Sequence, residues 1–553
     1  MTEEERQPIG RREWIGIGCV ALLFLVLRLP LYRGDALLLG WNSDAGVFGL
    51  MARRIRDGAF PIFFWGQSYM GVLTSFIAAA IGFVSGNVGP LALRLAAAAE
   101  VLASIVLYWL GLRRAFDRGT ALMVAAWLAA GPWYLFHFTV APIGAEQAFF
   151  LGGVLFWFVT RAPLRTWRQW LVFGLLTGFT WWINQSAIFV GAAAIVVAIL
   201  ESEWWSHTKP VLRPMDRLLL RERPVIVRAT GLLLAFLTLL GILRSAGLPV
   251  PALFLHSPVA EPLVLLLAFY ALLFGRSWRE VRPARSFFHA LGAFAVGFTV
   301  AYLPVIIGGI HGAYPRTYGL SAPVIELDQV PRRIATIFRS DWWQLIGGDA
   351  TVLGVTISIA MMALLALNLV ERPATSPAGA RRSTSIAAMT IILAGAFFLF
   401  SSRSHEGTVR YIVVALPLIY AYAARAGARS RPAAAVLLVV LVAMVAARRI
   451  DARAVAAGQR EQYATLPGGF DPRPALAAID RAGFTVCDAD YWIAYKLQWI
   501  SNERVRFIVS HGYTRNRVEV RQLVSQCHVD YLGRLTKLSG TAVSSPVPHK
   551  DKR

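Results

Sequence analysis

The sequence predicts a mainly α-helical membrane protein, a polytopic bundle of about thirteen transmembrane helices closed by a small C-terminal α/β domain. Three observations predict it. Apolar runs close to the ~20 residues that a helix needs to cross a bilayer recur through residues 1–448. Short Arg-rich segments separate those runs, which is the pattern of loops retained on the cytoplasmic side. From Arg449 onward the composition turns to that of a soluble domain.

The overall balance agrees. The chain is 56% hydrophobic and 16% charged, whereas soluble globular domains carry about a quarter charged residues. Its net charge is +23, from 55 Lys and Arg against 32 Asp and Glu. In a soluble chain that excess would point to nucleic acid. Here the arginines gather between apolar runs, so membrane lipids are the expected partner and nucleic acid is not. The sequence holds no P-loop, zinc cluster or hydrolase nucleophile motif, which argues against an ATP-driven pump and against a nucleotide cofactor.

Basic clusters set the order of the crossings. Arg11 and Arg12 precede the run Trp14–Leu31, which places the N-terminus inside. That run is too long for a signal-peptide core and lacks a small-residue cleavage site, so it is kept as a helix. Residues 32–88 then form a large first external loop. The next cluster, Arg113, Arg114 and Arg118, allows one crossing, taken by Val88–Leu112. The competing run Tyr69–Val84 becomes a helix at the outer membrane edge. The later crossings are Thr120–Phe138, Glu146–Val159, Trp170–Trp182, Ala187–Leu200, Val225–Leu243, Pro262–Phe274, Phe288–Ile307, Leu345–Val370, Ile386–Phe400, Tyr411–Ala424 and Ala433–Ala447.

This order leaves residues 449–538 outside the cytoplasm, followed by a Ser/Pro/Lys-rich tail, 539–553, expected to be disordered. Helices are expected at Pro474–Arg481, Tyr491–Ile500 and Val518–Gln526, and strands at Phe484–Cys487, Val505–Val509 and His528–Leu532. Such alternation points to a small α/β layer. Cys487 and Cys527 both lie in this domain and could pair if it faces an oxidising compartment. Cys19, in the first run, reads as a small buried side chain.

The first external loop carries the densest chemistry. After Asp44 the apolar Val47, Leu50, Met51 and Ile55 recur at helical spacing, with Arg53, Arg54, Arg56 and Asp57 mostly opposite. That describes an amphipathic helix lying in the interface, ended by Gly58 and Pro61. Asp44 stands either as its N-cap or as a catalytic carboxylate. Gln67 and Tyr69, within the aromatic stretch that follows, either anchor the chain at the membrane boundary or line a substrate groove. Glu146 opens the fourth crossing at a similar depth to Asp44. It is either an acid favoured by the helix dipole or a second catalytic group. Arg332 and Arg333, and farther on His405, Arg410 and Tyr411, fall on the side where few cations are expected, and arginine suits phosphate oxygens. Arg28, Arg94 and Glu100 lie inside apolar runs, where snorkelling or mutual pairing is expected to carry the cost of burial.

Many crossings, a large first loop with an early Asp, an edge helix and a soluble C-terminal domain together resemble the GT-C glycosyltransferases. The stretches Asp44-Ala-Gly-Val-Phe-Gly-Leu and Phe63-Phe-Trp-Gly-Gln67-Ser-Tyr69 are similar to those of bacterial members, such as the protein O-mannosyltransferases and aminoarabinose transferases. Asp490-Tyr491-Trp492 through Glu503-Arg504-Val505 is similar to the C-terminal domain of bacterial relatives. The resemblance implies inverting transfer of a sugar from a polyprenyl-phosphate-linked donor to an extracytoplasmic lipid, glycan or protein. It implies Asp44 as the first-loop acid, Glu146 as a second external acid, and Arg410 with Tyr411 near the donor phosphate. The sequence departs from the pattern in three places. Ala45 follows Asp44 where an Asp-Glu pair is common. Gln67-Ser68-Tyr69 stands where others carry a basic residue and prolines. Asp341-Trp342-Trp343 reverses the Trp-Trp-Asp acceptor motif. A divalent cation is therefore undecided. The expected location is the bacterial inner membrane, and the competing reading is a lipid-linked-sugar transporter or flippase.

Overall fold

The computed structural model describes residues 9–200 apart from 39–40, 42, 66, 68–69 and 162–163. It further describes 282–310, 329–336, parts of 357–364, 378–400, 409–427, 431–456, 471–509, 525–529 and 535–537. The expected crossings at Val225–Leu243 and Pro262–Phe274, most of the expected crossing Leu345–Val370, all but the last two residues of the expected helix Val518–Gln526 and the tail 539–553 lie outside the described residues.

The first half of the chain forms α1 (Arg11–Arg28), α2 (Ser43–Arg56), α3 (Leu73–Ser85), α4 (Pro90–Ala115), α5 (Arg118–Ala130), α6 (Trp133–Phe138), α7 (Ala145–Arg161), α8 (Trp167–Ile183) and α9 (Ile188–Leu200). Then come α10 (Arg282–Ile310), α11 (Val330–Thr336), α12 (Ala378–Phe400), α13 (Leu416–Gly427) and α14 (Arg431–Ala456). Among the described residues, five helical stretches are long and apolar enough to cross a membrane: Arg11–Tyr32, Pro90–Ala115, His289–Ile307, Arg382–Leu399 and Pro432–Arg453. Several others are apolar but shorter. One expected crossing, Thr120–Phe138, is instead two helices. Gly131 adopts a left-handed φ of +79° and Pro132 has no N–H to give, so α5 stops and α6 starts anew. Trp170–Leu200 divides where two crossings are expected, at Asn184, whose side chain accepts from the Ser186 amide.

The bundle core runs through α1, α4, α5, α7, α8, α9 and α12 to α14. At its centre Tyr108 of α4 lies between Phe149 and Phe156 of α7, at centroid distances of 5.2 and 5.8 Å. Its hydroxyl donates to the Val414 carbonyl at 3.1 Å, so the buried phenol is satisfied. Helices α8 and α10 pack backbone to backbone. A Cβ on Gly174 or Gly178 would lie 2.1 and 2.4 Å from the carbonyl oxygens of Phe294 and Phe298, which is the close approach that small residues four apart permit. Leu22, Ile392, Val439 and Val442 stay exposed on the outward sides of α1, α12 and α14, as a lipid-facing surface does. Cys19 is also exposed, not buried as expected.

Among the described residues, Arg28, Arg94 and Glu100 are buried and do not pair with one another. Arg28 is fully buried and donates to Thr139 Oγ1 at 3.0 Å and to the carbonyls of Phe24 and Ala129 at 3.2 and 2.9 Å. The last of these is a carbonyl left over where α5 breaks. Arg94 donates to Val140 O at 3.2 Å, to Ala36 O at 2.8 Å and to Leu31 O, and its guanidinium sits 4.8 Å from the ring of Trp41. A charge that finds backbone carbonyls inside the fold has no need to reach for the interface.

The C-terminal elements are α15 (Arg473–Ala482), β1 (Val486–Ala489), α16 (Tyr491–Ile500), β2 (Arg506–Val509), β3 (Cys527–Val529) and β4 (Leu535–Lys537). The sheet order is β2-β1-β3-β4, with β1 parallel to β2 and β3, and β4 antiparallel to β3. Cys487 and Cys527 face each other in register on β1 and β3 and form a disulfide.

Candidate active site in the first loop

The sequence makes α2 amphipathic, but α2 does not lie open on a membrane surface. Nearly the whole run Ser43–Arg53 is buried, because α16 of the C-terminal domain covers it. Gly46 and Gly49, three apart on one helix face, make that contact. A Cβ on Gly46 would lie 2.6 Å from the Lys496 amide nitrogen, and one on Gly49 only 2.1 Å from the indole of Trp499. Trp499 also meets Trp41 edge-to-face at 5.0 Å, so the Arg94 guanidinium, Trp41, Trp499 and Gly49 form one continuous stack. Two polar contacts extend the junction. Arg53 Nη2 donates to Asn502 Oδ1 at 2.7 Å, and Arg54 pairs with Glu503 at 2.9 Å.

Asp44 sits in the first turn of α2 and is half-buried. Beneath it, α3 ties this helix to the bundle through two adjacent hydroxyls. Ser75 Oγ donates to the Phe48 carbonyl of α2 at 2.9 Å. Thr74 Oγ1 lies 2.8 Å from Glu100 Oε2 and 3.1 Å from Glu146 Oε1. Both acids are buried. The hydroxyl has a single proton to give, so the two carboxyl groups share one donor in Thr74. Glu146 also accepts from the amides of Ile143 and Gly144, at 3.2 and 2.9 Å, just ahead of its own helix. It is a helix-start latch, and its acidic neighbour is Glu100 of α4, 46 positions earlier, which no local pattern joins to it.

The remaining candidates fall in other places. Gln67 is half-buried, and its backbone N–H donates to Phe64 O at 2.9 Å in a tight turn. Arg333 is buried and donates to Leu399 O at 3.0 Å, near the end of α12, while Arg332 is exposed. Arg410 and Tyr411 belong to a 3-10 turn, Val409–Ala415, that leads into α13. Tyr69 and His405 lie outside the described residues. Among the described residues no group of three or more His, Cys, Asp or Glu gathers to hold a metal.

Sequence reasoning passed over Thr74, Ser75 and Trp499. The spacing of Gly46 and Gly49 is the signal that could have found the last, since glycines on one face of a loop helix mark a close partner. Lys496, beside Trp499 on α16, is fully buried. Burial holds its ammonium down to about 7, with Asp471 pulling the other way.

No protein-family model and no curated protein matches this chain. Among solved structures, it is similar to ArnT from Cupriavidus metallidurans in the apo state, with 15% identity over 92% of this chain and 88% of that one and a TM-score of 0.49. The same protein bound to undecaprenyl phosphate gives 14% identity over 91% and 87%, with a TM-score of 0.46. The apo oligosaccharyltransferase of Archaeoglobus fulgidus gives 15% identity and a TM-score of 0.43, over 90% of this chain. This chain spans 64% of the length of that oligosaccharyltransferase.

Proposed function

We propose that the protein is a membrane glycosyltransferase of the GT-C type. It moves a sugar, with inversion, from a polyprenyl-phosphate-linked donor to an extracytoplasmic lipid, glycan or protein. The observation that carries this reading is the clamping of α2. Its half-buried Asp44 is held between the bundle, through Ser75 and Phe48, and the C-terminal domain, through Gly46, Gly49 and Arg53. A carboxylate that must align and deprotonate an acceptor hydroxyl needs that fixity.

In this reading Asp44 is the base, and the region of Arg410 and Tyr411 receives the departing lipid phosphate. Glu146 acts from behind, by fixing α3 through Thr74. The N-terminus lies in the cytoplasm. The helix Arg431–Ala456 runs past the boundary expected at Arg449, and the domain that follows it is extracytoplasmic, which the Cys487–Cys527 disulfide supports, since such bonds persist in oxidising compartments. The transporter reading needs Arg28, Arg94 and Glu100 to form a pathway. Arg28 and Arg94 are engaged with backbone carbonyls of the fold, which weakens that reading.

The test is sugar transfer by purified protein in lipid from a panel of polyprenyl-phosphate sugars, comparing wild type with Asp44→Asn. Transfer that collapses in a folded variant supports the proposal. Wild-type transfer matched by Asp44→Asn removes Asp44 from the chemistry, and movement of lipid-linked sugar without transfer replaces the enzyme with a transporter.

A further inference from the structure

The turn from α7 into α8 gathers arginines that no carboxylate balances. Arg161 ends α7, Arg165 and Arg168 flank the start of α8, and all three are exposed. No Asp or Glu occurs in the sequence between Glu146 and Glu201. Among the described residues these arginines make no ion pair. Two of them lie over indoles instead, Arg161 at 5.3 Å from the centre of Trp157 and Arg168 at 5.6 Å from that of Trp167. Neighbouring helices do not supply the missing charge. Gly111 near the end of α4 packs on Phe156 and Thr160 of α7, so the end of α4 and the start of α5 lie at the same end of the bundle. The acids described there are Glu13 and Asp117. Glu13 is spent on Arg113 and Arg118, and Asp117 caps α5 through Thr120. Helix α10 runs parallel to α8, since Gly174 and Gly178 meet Phe294 and Phe298 in the same order, and its first turn adds Arg282 and Arg285 to this end.

The turn is held in place. Leu164 is left-handed, with φ +50°, and buried, a conformation that a non-glycine residue keeps only where its surroundings fix it. Trp170 Nε1 donates to the Leu164 carbonyl at 2.6 Å, and Gln169 Oε1 accepts from the amides of Arg165 and Thr166 at 2.8 and 3.1 Å. The arginines are thus presented at fixed stations, and the positive end of the α8 dipole adds to their field. Away from the turn the surface becomes apolar. Trp167 is 56% exposed and Val172 41%, and Leu175 and Phe179 continue half-buried. Arg168, Val172, Leu175 and Phe179 recur at helical spacing, so they share one side of α8. A cationic end, an indole at the boundary and an apolar stripe leading away match an amphiphile with an anionic head better than a free anion.

We propose that the α7–α8 turn binds an anionic phospholipid, with its phosphate against Arg161, Arg165 and Arg168 and an acyl chain along Val172, Leu175 and Phe179. Guanidinium forks match phosphate oxygens. The site belongs to the leaflet that this turn faces. It rests on the chain's being a multi-pass membrane protein and not on the transferase reading.

The experiment is native mass spectrometry of the full-length chain in a neutral detergent, titrated with phosphatidylglycerol and with phosphatidylcholine of the same acyl chains. The first phosphatidylglycerol is expected to bind at least about tenfold more tightly than the first phosphatidylcholine. Arg168→Gln should weaken it about fivefold, the effect of one cation near an anionic lipid. Replacing Arg161, Arg165 and Arg168 together by glutamine should make the two lipids bind alike. All three side chains are exposed, so the variants are expected to unfold at the wild-type temperature. Arg11→Gln with Arg12→Gln removes two equally exposed arginines from the start of α1 and should leave the first phosphatidylglycerol in place. An equal loss from that pair would mean a diffuse field with no site at the turn, and overturns the proposal. So does equal binding of the two lipids to wild type, or an undiminished preference in the triple variant. Inorganic phosphate bound as tightly as phosphatidylglycerol would make this a soluble-anion site and overturn the lipid assignment.

Discussion

Gly49 of the first loop and Trp499 of the C-terminal domain pack so closely that a Cβ at position 49 would fall 2.1 Å from the indole. The contact joins parts of the chain 450 positions apart and fixes the helix that carries Asp44. Gly49→Ala is therefore expected to push α16 off α2. Overpacking of this kind costs roughly 1–3 kcal/mol. Hydrogen exchange should show faster exchange in α16 with α4 and α7 unchanged; unaltered protection in α16 would mean that Trp499 swings aside.

Thr74 bridges two buried carboxyls, so its hydroxyl should matter more than either charge. Thr74→Val leaves both acids short of a partner and is expected to lower stability by about 1–3 kcal/mol. Glu100→Gln keeps a hydrogen-bonding group beside Thr74 and should be milder. Thermal unfolding in detergent ranks the two variants, and the reverse order would show that the shared proton is not the point of the arrangement.

Lys496 gives the C-terminal domain a pH dependence of known sign. Its folded pKa is about 7, whereas a free lysine titrates near 10.4. Between those values the unfolded chain binds the extra proton, so stability rises as pH climbs from about 7 to about 10. Below that window both states are protonated and the whole cost of burying the charge is present. Lys496→Met should thus be more stable than wild type at neutral pH, the gap closing towards about pH 10.5. A gap that stays constant with pH would point to packing instead.

The Cys487–Cys527 bond links adjacent strands 40 positions apart in sequence. Replacing both cysteines by serine is expected to cost about 2–4 kcal/mol, and mass analysis after alkylation should find Cys19 alone reactive in the unreduced, unfolded protein. Three alkylated thiols there would show that the pair is open, and would remove this support for an oxidising location.

Much of the architecture was legible because membranes and periodicity impose it. Apolar runs and Arg clusters mark helices such as Pro90–Ala115 and Arg431–Ala456, and Tyr491–Ile500 follows from its local pattern to the residue. Asp44 at the head of a loop helix was legible for the same reason. The break at Gly131 was not read as a break, because hydropathy averages over a single turn. Tertiary structure alone decided that Glu100 meets Glu146, that Arg28 and Arg94 spend their charge on carbonyls, and that α2 lies beneath α16. Each of these depends on which surfaces meet across long stretches of chain. A local pattern fixes what a segment must bury, while only packing in three dimensions chooses the partner.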